Sequence, residues 1–182
     1  GGVWDAAVDH YSVVMNQGIK CGCRGQGVRS AVINYGLVNA CSDLTGRLLD
    51  ACCAAVVPHM LKAGRGNIIN GTSIAARSGG GGGAVMYASA KGFVSTFTRG
   101  LAKEVVTDNI RVNAVSPGVI ETPFHERYST PAMLESFKAA IPMNRLGTAE
   151  ECAGTFLYLA SDALSGFVTG QILEVNGGQV MP

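Results

Sequence analysis

Residues 66–91 read GNIINGTSIAARSGGGGGAVMYASAK, and this stretch decides the fold. It opens with a short segment, residues 66–70, that is read as a β-strand around Ile68 and Ile69. Just beyond the stretch, apolar residues recur every three or four positions, which predicts a helix: Phe93, Phe97, Leu101 and Val105. A strand followed by such a helix is the first half of a crossover unit on a parallel sheet.

The same alternation runs through the rest of the chain. Further short apolar runs, residues 110–115 and 171–175, are each followed by a glycine-containing turn. A capping-box sequence at residues 148–151 predicts a helix that continues through Ala160. Another helical pattern precedes residue 66, at Leu44, Leu48, Cys52, Ala55 and Val56. Helices that alternate with apolar strands predict an α/β fold, with a parallel sheet covered on both faces.

Composition bounds the class of protein. The chain has 182 residues, 47% of them hydrophobic, and a formal net charge of +1, which suits a single compact domain. The 14 basic residues are scattered with few aromatics among them, so no nucleic-acid surface is predicted. No apolar run is long enough to span a membrane and no signal-peptide pattern opens the sequence, so a cytoplasmic location is expected.

The six cysteines do not predict a metal site. Cys21 and Cys23 could join Cys52 and Cys53, but the spacing matches no zinc pattern and no histidine pair completes it. Reduced and mostly buried thiols are the expected state.

Four polar side chains follow or flank the first strand. Thr72 and Ser73 come shortly after it, while Tyr87 and Lys91 lie one helical turn apart on one face of the next helix. Parallel sheets bind ligands at the carboxyl ends of their strands, where these residues are expected to lie. Each feature also has an ordinary structural explanation: a turn serine, a surface Tyr-Lys pair, and a glycine linker between them.

The Tyr87–Lys91 pair makes a specific chemistry possible. A phenol with a pKa near 10 is a poor base at neutral pH, but an ammonium about 4 Å away at an effective dielectric constant of 20 favours the phenolate by roughly 4 kcal/mol. The helix N-terminus acts in the same direction. Such a tyrosine can exchange a proton with an alcohol or ketone oxygen that a nearby serine holds.

The motifs together resemble the short-chain dehydrogenase/reductases. The resemblance starts from Ser73, the run Tyr87-Ala88-Ser89-Ala90-Lys91 and IRVNAVSPG at residues 110–118. Further matches follow in order: ETP at 121–123, RLGTAEE at 145–151, VTG at 168–170 and VNGG at 175–178. The matching region runs from Leu44 to the end of the chain, and it implies a Rossmann-like, doubly wound parallel sheet in three α/β/α layers.

This resemblance also implies an activity, which is hydride transfer between NAD or NADP and a small-molecule secondary alcohol or ketone. Tyr87 would be the general acid/base, Lys91 would lower its pKa and hold the nicotinamide ribose, and Ser73 would orient the substrate oxygen. Residues 124–143 would cover the substrate as a lid. The nicotinamide itself would be lined by Pro117, Gly118, Ile120 and Thr122.

The first 43 residues depart from the family pattern. The family opens with a strand that leads into Thr-Gly-x-x-x-Gly-x-Gly, and here residues 12–15 are the candidate strand. Two registers of the loop each lack one required glycine: Gly18, Gly22 and Arg24, or Cys21, Gly25 and Gly27. The family places four strands ahead of Leu44, yet 43 residues hold only one or two with a helix. Either the N-terminal strands are missing, or this third is built differently.

Two functions from different classes follow. The first is a working NAD(P)-dependent oxidoreductase. The second is a shortened, non-catalytic relative that acts as an oligomeric or partner-binding module. A homodimer or homotetramer is expected in either case, because the helices around residues 44–61 and 86–106 are apolar over more than one face and the family pairs these helices between subunits.

Overall fold

The computed structural model describes residues 13–15, 31–33, 42–122 and 129–181. Within these ranges the chain forms a five-stranded parallel sheet whose spatial order equals the chain order, β1-β2-β3-β4-β5. The strands are β1 Val13–Met15, β2 Ala31–Ile33, β3 Gly66–Gly71, β4 Ile110–Pro117 and β5 Ile172–Val175. The three strands predicted around residues 66–70, 110–115 and 171–175 are confirmed, and the candidate strand at residues 12–15 is β1.

Six α-helices and one short 3₁₀-helix lie in the described part of the chain. The α-helices are α1 Ser42–Ala63, α2 Ala75–Ser78, α3 Val85–Val105, α4 Pro131–Ala139, α5 Ala149–Ala160 and α6 Asp162–Ser165, and the 3₁₀-helix is Val106–Asp108. The periodic apolar residues of the sequence therefore predicted α1 and α3 correctly, and the capping-box sequence predicted α5.

The two faces of the sheet are covered by different helices. Ile68 and Val112 are fully buried in one core cluster together with apolar residues of α1 and α3. Ile69 and Val115 are buried in a second cluster with Leu159 of α5. Neighbouring residues of β3 thus enter opposite cores, as the two-residue period of a strand requires. The arrangement is the expected three-layer α/β/α sandwich.

Two polar side chains of β4 fasten the segment that precedes β5. The Arg111 guanidinium is buried, and it donates to the Asp162 carboxylate over 2.7 Å and to the Ser165 hydroxyl over 3.1 Å. The Asn113 side-chain amide donates to the Val168 carbonyl over 2.8 Å and accepts from the Gln171 amide over 3.0 Å. These bonds satisfy buried polar groups and set the position of β5 beside β4.

A capping box begins α5. The Thr148 hydroxyl accepts from the Glu151 amide, and the Glu151 carboxylate accepts from the Thr148 amide. Arg145 also donates to both oxygens of that carboxylate, over 2.8 and 2.6 Å. The hydrogen bond from Arg145, together with the one from the Thr148 amide, lowers the pKa of Glu151 to about 2. The sequence at residues 145–151 therefore has a structural role at the start of a helix.

The cysteines in the described part are reduced. Cys52, Cys53 and Cys152 are free and buried, and burial raises the pKa of the Cys53 thiol to about 12. No cluster of His, Cys, Asp or Glu among the described residues is arranged to hold a metal ion. A search of the same residues found no helix with the length and apolar character that a membrane span needs.

Candidate active site

The site lies where β3 and β4 end. The ladder between these two strands continues past β3, because the Thr72 amide donates to the Val115 carbonyl over 2.9 Å and the Ile74 amide donates to the Pro117 carbonyl over 3.1 Å. Ser73 lies between these two anchored residues and is half-buried. Main-chain bonds on both sides therefore hold the backbone of Ser73 at the carboxyl end of the strand.

Lys91 reaches the same place from α3. Its side chain is buried, and its Nζ donates to the main-chain carbonyl of Gly71, the last residue of β3, over 3.0 Å. The same Nζ lies 5.8 Å from the ring centroid of Tyr87. Burial disfavours the charged form and lowers the pKa of Lys91 to about 8. The structure thus places the ammonium of Lys91 near the Tyr87 ring. It also bonds that ammonium to Gly71, which precedes Ser73 by two residues.

Tyr87 lies in the first turn of α3, which begins at Val85, and its side chain is half-buried. The ring is therefore accessible from outside while the lysine behind it is not. The Ser73 Oγ accepts a hydrogen bond from the Ala75 amide over 3.2 Å. Because the oxygen acts as an acceptor in that bond, its O–H group can donate to another oxygen.

Two hydroxyl groups outside the predicted catalytic set, those of Thr72 and Ser95, support this arrangement. The Thr72 hydroxyl donates to the Lys91 main-chain carbonyl over 2.9 Å, and the Ser95 hydroxyl donates to the same carbonyl over 3.0 Å. The two hydroxyl oxygens are 2.8 Å apart. Thr72 precedes Ser73 directly, so it links the end of the serine-bearing strand to the helix of Tyr87 and Lys91. In the sequence, the role of Thr72 was indicated only by its place between Gly71 and Ser73, just after a predicted strand.

The four residues expected to line a nicotinamide follow β4 at the same edge of the sheet. Pro117 ends β4, and the Gly118 amide donates to the Val175 carbonyl over 2.8 Å. A Cβ at Gly118 would come within 2.8 Å of the Asn176 Cα, so the close approach of two main chains requires glycine there. The Thr122 hydroxyl donates to the Ile120 carbonyl over 3.3 Å.

A cavity of about 370 Å³ lies between the ends of β4 and β5. Ile120 lines it, as do Glu174 of β5 and Asn176, and Ile141 and Met143 close it from the segment after α4. Ser73, Tyr87 and Lys91 are not in its lining. The structure therefore places the predicted catalytic group over β3 and β4, and a separate hollow beside it over β4 and β5.

Some expectations fall outside the described residues. Both registers of the glycine-rich loop lie within residues 16–30, and part of the expected lid lies within 123–128. The described part of the lid, residues 129–143, contains α4, which begins after Thr130 with Pro131 in its first turn and the Thr130 hydroxyl capping the Met133 amide.

Comparison with known proteins identifies the class. A family model described as "Enoyl-(Acyl carrier protein) reductase" matches residues 43–179. The chain is 45% identical over 126 residues to the 3-oxoacyl-[acyl-carrier-protein] reductase FabG of Chlamydia pneumoniae, covering 69% of this chain and 50% of that protein. It is 42% identical over 139 residues to the 3-oxoacyl-[acyl-carrier-protein] reductase of Synechocystis sp., covering 76% of this chain and 53% of that protein.

Comparison with solved structures supports the same class of protein. The solved structure of an NADH-dependent reductase, A1-R′, responsible for alginate metabolism superposes with a TM-score of 0.72 at 34% identity, over 86% of this chain and 66% of that one. The protein is thus an α/β protein with a Rossmann-like parallel sheet. The chain belongs to the short-chain dehydrogenase/reductase family, as the motifs predicted. It spans about half the length of the curated relatives it matches.

Proposed function

We propose that this chain carries the catalytic centre of an NAD(P)-dependent oxidoreductase that interconverts a ketone and a secondary alcohol. The observation that supports it most strongly is the Lys91 ammonium, which is buried, bonded to the Gly71 carbonyl and 5.8 Å from the Tyr87 ring. A buried cation beside a half-buried tyrosine stabilises a tyrosinate, and this is the form that remains after the phenol has given up its proton.

We assign one role to each of the three side chains in this reaction. Tyr87 donates its phenolic proton to the ketone oxygen during reduction and takes it back during oxidation. Ser73 donates a hydrogen bond to the same oxygen and holds it in place. Lys91 stabilises the tyrosinate. A nicotinamide held at this edge of the sheet would, when bound, supply or accept the hydride at the carbon atom.

The described residues fit the nicotinamide half of such a cofactor. The ammonium of Lys91 and the hydroxyl of Tyr87 are groups that bind ribose hydroxyls, and both lie at the carboxyl end of the sheet. Pro117, Gly118, Ile120 and Thr122 would line the nicotinamide ring and its carboxamide from the adjacent loop.

The substrate is a small-molecule ketone, and 3-oxoacyl thioesters are the first to test. Support for this class comes from the two curated relatives, whose names describe them as 3-oxoacyl-[acyl-carrier-protein] reductases. The purified chain should consume NADH or NADPH only when such a ketone is present. The loss of nicotinamide absorbance measures this consumption. Folded protein that consumes neither dinucleotide with any ketone of a graded panel would reject the proposal.

We also propose that the chain forms a homodimer or homotetramer through α1 and α3. A groove of about 450 Å³ lies between these helices, lined by apolar residues including Val57, Phe97 and Leu101. Phe93 in the same groove is 43% exposed. This groove equally favours the second function, a non-catalytic module that binds a partner or itself. Sedimentation should give an oligomer at micromolar concentration, and a monomer would reject this part. Ketone reduction that Tyr87→Phe removes would eliminate the non-catalytic alternative.

A further inference from the structure

The helical turn that follows Ser73 is joined to the sheet by main-chain bonds only at its start. Its start is held through the Ile74 amide, which donates to the Pro117 carbonyl over 3.1 Å. The turn itself is α2, a single turn of helix at Ala75–Ser78. Its end runs into the five glycines at positions 79–83, all of which have positive φ angles between 54° and 86°.

The glycine segment adds little restraint of its own. A Cβ placed on four of the five glycines would meet no atom within 4 Å, so the segment runs through open space: Gly79, Gly81, Gly82 and Gly83. Its hydrogen bonds are local, such as the Ala84 amide to the Gly81 carbonyl over 2.9 Å. Residues without side chains also retain the widest choice of backbone conformations. The position of α2 therefore depends on other contacts.

One long-range side-chain contact joins α2 to the sheet. The Arg77 Nε donates to the Glu174 Oε1 over 2.8 Å, across 97 positions of sequence. Glu174 belongs to β5 and its side chain is only 10% exposed, whereas that of Arg77 is 37% exposed. The other carboxylate oxygen, Oε2, is buried and has no hydrogen-bond partner among the described residues.

The burial of Glu174 makes a cationic partner necessary for its carboxylate. A carboxylate removed from water is costly unless a cation and hydrogen bonds compensate it. Arg77 supplies that cation, so its partly exposed guanidinium is bonded at the end of β5. Because Arg77 lies one helical turn after Ser73, holding the guanidinium also fixes the orientation of the turn.

We propose that Arg77 and Glu174 are positioning residues, which set the place of the Ser73 hydroxyl over the substrate oxygen by fastening α2 to β5. The inference rests on the proposed function, since it assigns a role to Ser73 in that reaction. Glu174 also lines the cavity next to Ile120, so the ion pair connects the serine-bearing turn with the loop that would line the nicotinamide.

The kinetic test uses Arg77→Met, with Arg99→Met as the matched control on the exposed face of α3. A misplaced hydroxyl should lower kcat for ketone reduction by about ten-fold while the KM for the dinucleotide stays within about two-fold. Arg99→Met should leave both unchanged, and Arg77→Lys should restore part of kcat. In a Ser73→Ala background, Arg77→Met should cause no further loss. An equal loss with and without the Ser73 hydroxyl would overturn the proposal.

A second measurement does not depend on activity. The main-chain amides of residues 76–79 are bonded within the turn, and their hydrogen exchange should become about ten-fold faster in Arg77→Met and in Glu174→Gln, while the amides of α3 keep their protection. Unchanged hydrogen exchange at these amides in folded variants would overturn the proposed link between α2 and β5. If the unmodified chain reduces no ketone but the exchange result holds, the proposed function fails while the tether between α2 and β5 stands.

Discussion

The Lys91 ammonium donates a 3.0 Å hydrogen bond to the main-chain carbonyl of Gly71. This bond joins the helix that carries Tyr87 to the strand that ends just before Ser73. The Thr72 hydroxyl adds a second link between the same two elements, through the Lys91 carbonyl. Two buried hydrogen bonds therefore hold α3 against the end of β3, independently of the glycine-rich segment between Ser73 and Tyr87.

Removal of the Tyr87 hydroxyl should remove the proton donor and leave the fold intact. We expect Tyr87→Phe to lower kcat for ketone reduction by about 10²- to 10⁴-fold. The half-exposed Tyr158 on α5 provides the matched control, since Tyr158→Phe makes the same chemical change away from the site. Steady-state kinetics and circular dichroism check both variants. Equal losses in the two would contradict the role of Tyr87.

The stability of the protein should depend on the charge of Lys91. Burial lowers its pKa from 10.5 to about 8, so between these values the unfolded chain holds a proton that the folded chain has released. The free energy of unfolding should therefore rise with pH across this window, by a contribution of about 3 kcal/mol. Below about pH 8 both states are charged, and the buried ammonium is a cost to the folded state.

Lys91→Met should accordingly be more stable than the unmodified protein near neutral pH, by about 1–3 kcal/mol, and this advantage should shrink as the pH approaches 10.5. Urea denaturation across the pH range measures it, with the exposed Lys103→Met as control. The rate of reduction should move in the opposite direction and fall as the pH rises through about 8, because the ammonium is lost. A pH-independent difference between Lys91→Met and the unmodified protein would contradict the assignment.

The Thr72 hydroxyl should affect the rate of ketone reduction because it helps to hold Lys91 in position. Thr72→Val keeps the shape of the side chain but removes the hydroxyl that donates to the Lys91 carbonyl. We expect a loss of about 1–2 kcal/mol in the free energy of unfolding and about a ten-fold lower kcat. Thr72→Ser should restore most of the rate, and Thr107→Val, in the exposed 3₁₀-helix, should change neither quantity. A normal rate in Thr72→Val would show that this link is dispensable.

Gly118 should tolerate no side chain. A Cβ there would lie 2.8 Å from both the Cα and the Cβ of Asn176, and the main chain cannot yield cheaply. We expect Gly118→Ala to lower the free energy of unfolding by about 1–3 kcal/mol. Gly154→Ala is the matched control on α5, where an added Cβ meets no atom within 4 Å. That variant should be up to about 1 kcal/mol more stable, since alanine favours a helix. Thermal unfolding of the two variants decides the comparison.

Much of this architecture could be predicted from local patterns. The apolar run before Thr72 predicted β3, the helical spacing from Phe93 to Val105 predicted α3, and the Thr148 capping box predicted the start of α5. These features depend on residues within a few positions of one another, so periodicity and capping chemistry reveal them.

Contacts between distant residues could not be predicted in this way. The Arg77–Glu174 pair joins residues 97 positions apart, and the Thr72 bond to the Lys91 carbonyl depends on how closely α3 packs on the end of β3. The sequence also left open how many strands precede residue 44. Among the described residues there are two, of which β2 pairs with β3 and β1 pairs with β2. Strand pairing is set by the whole sheet, and an isolated three-residue run does not reveal its partner.

The central claim is that the buried Lys91 and its neighbours form the nicotinamide end of a dinucleotide site. The most direct test is a titration of the purified chain with NADH and with NADPH, monitored by nicotinamide fluorescence. We predict a saturable change with at least one of the two, approaching one dinucleotide per chain, and weaker binding in Lys91→Met than in Lys103→Met. A folded chain that gives no saturable change with either dinucleotide would contradict the account.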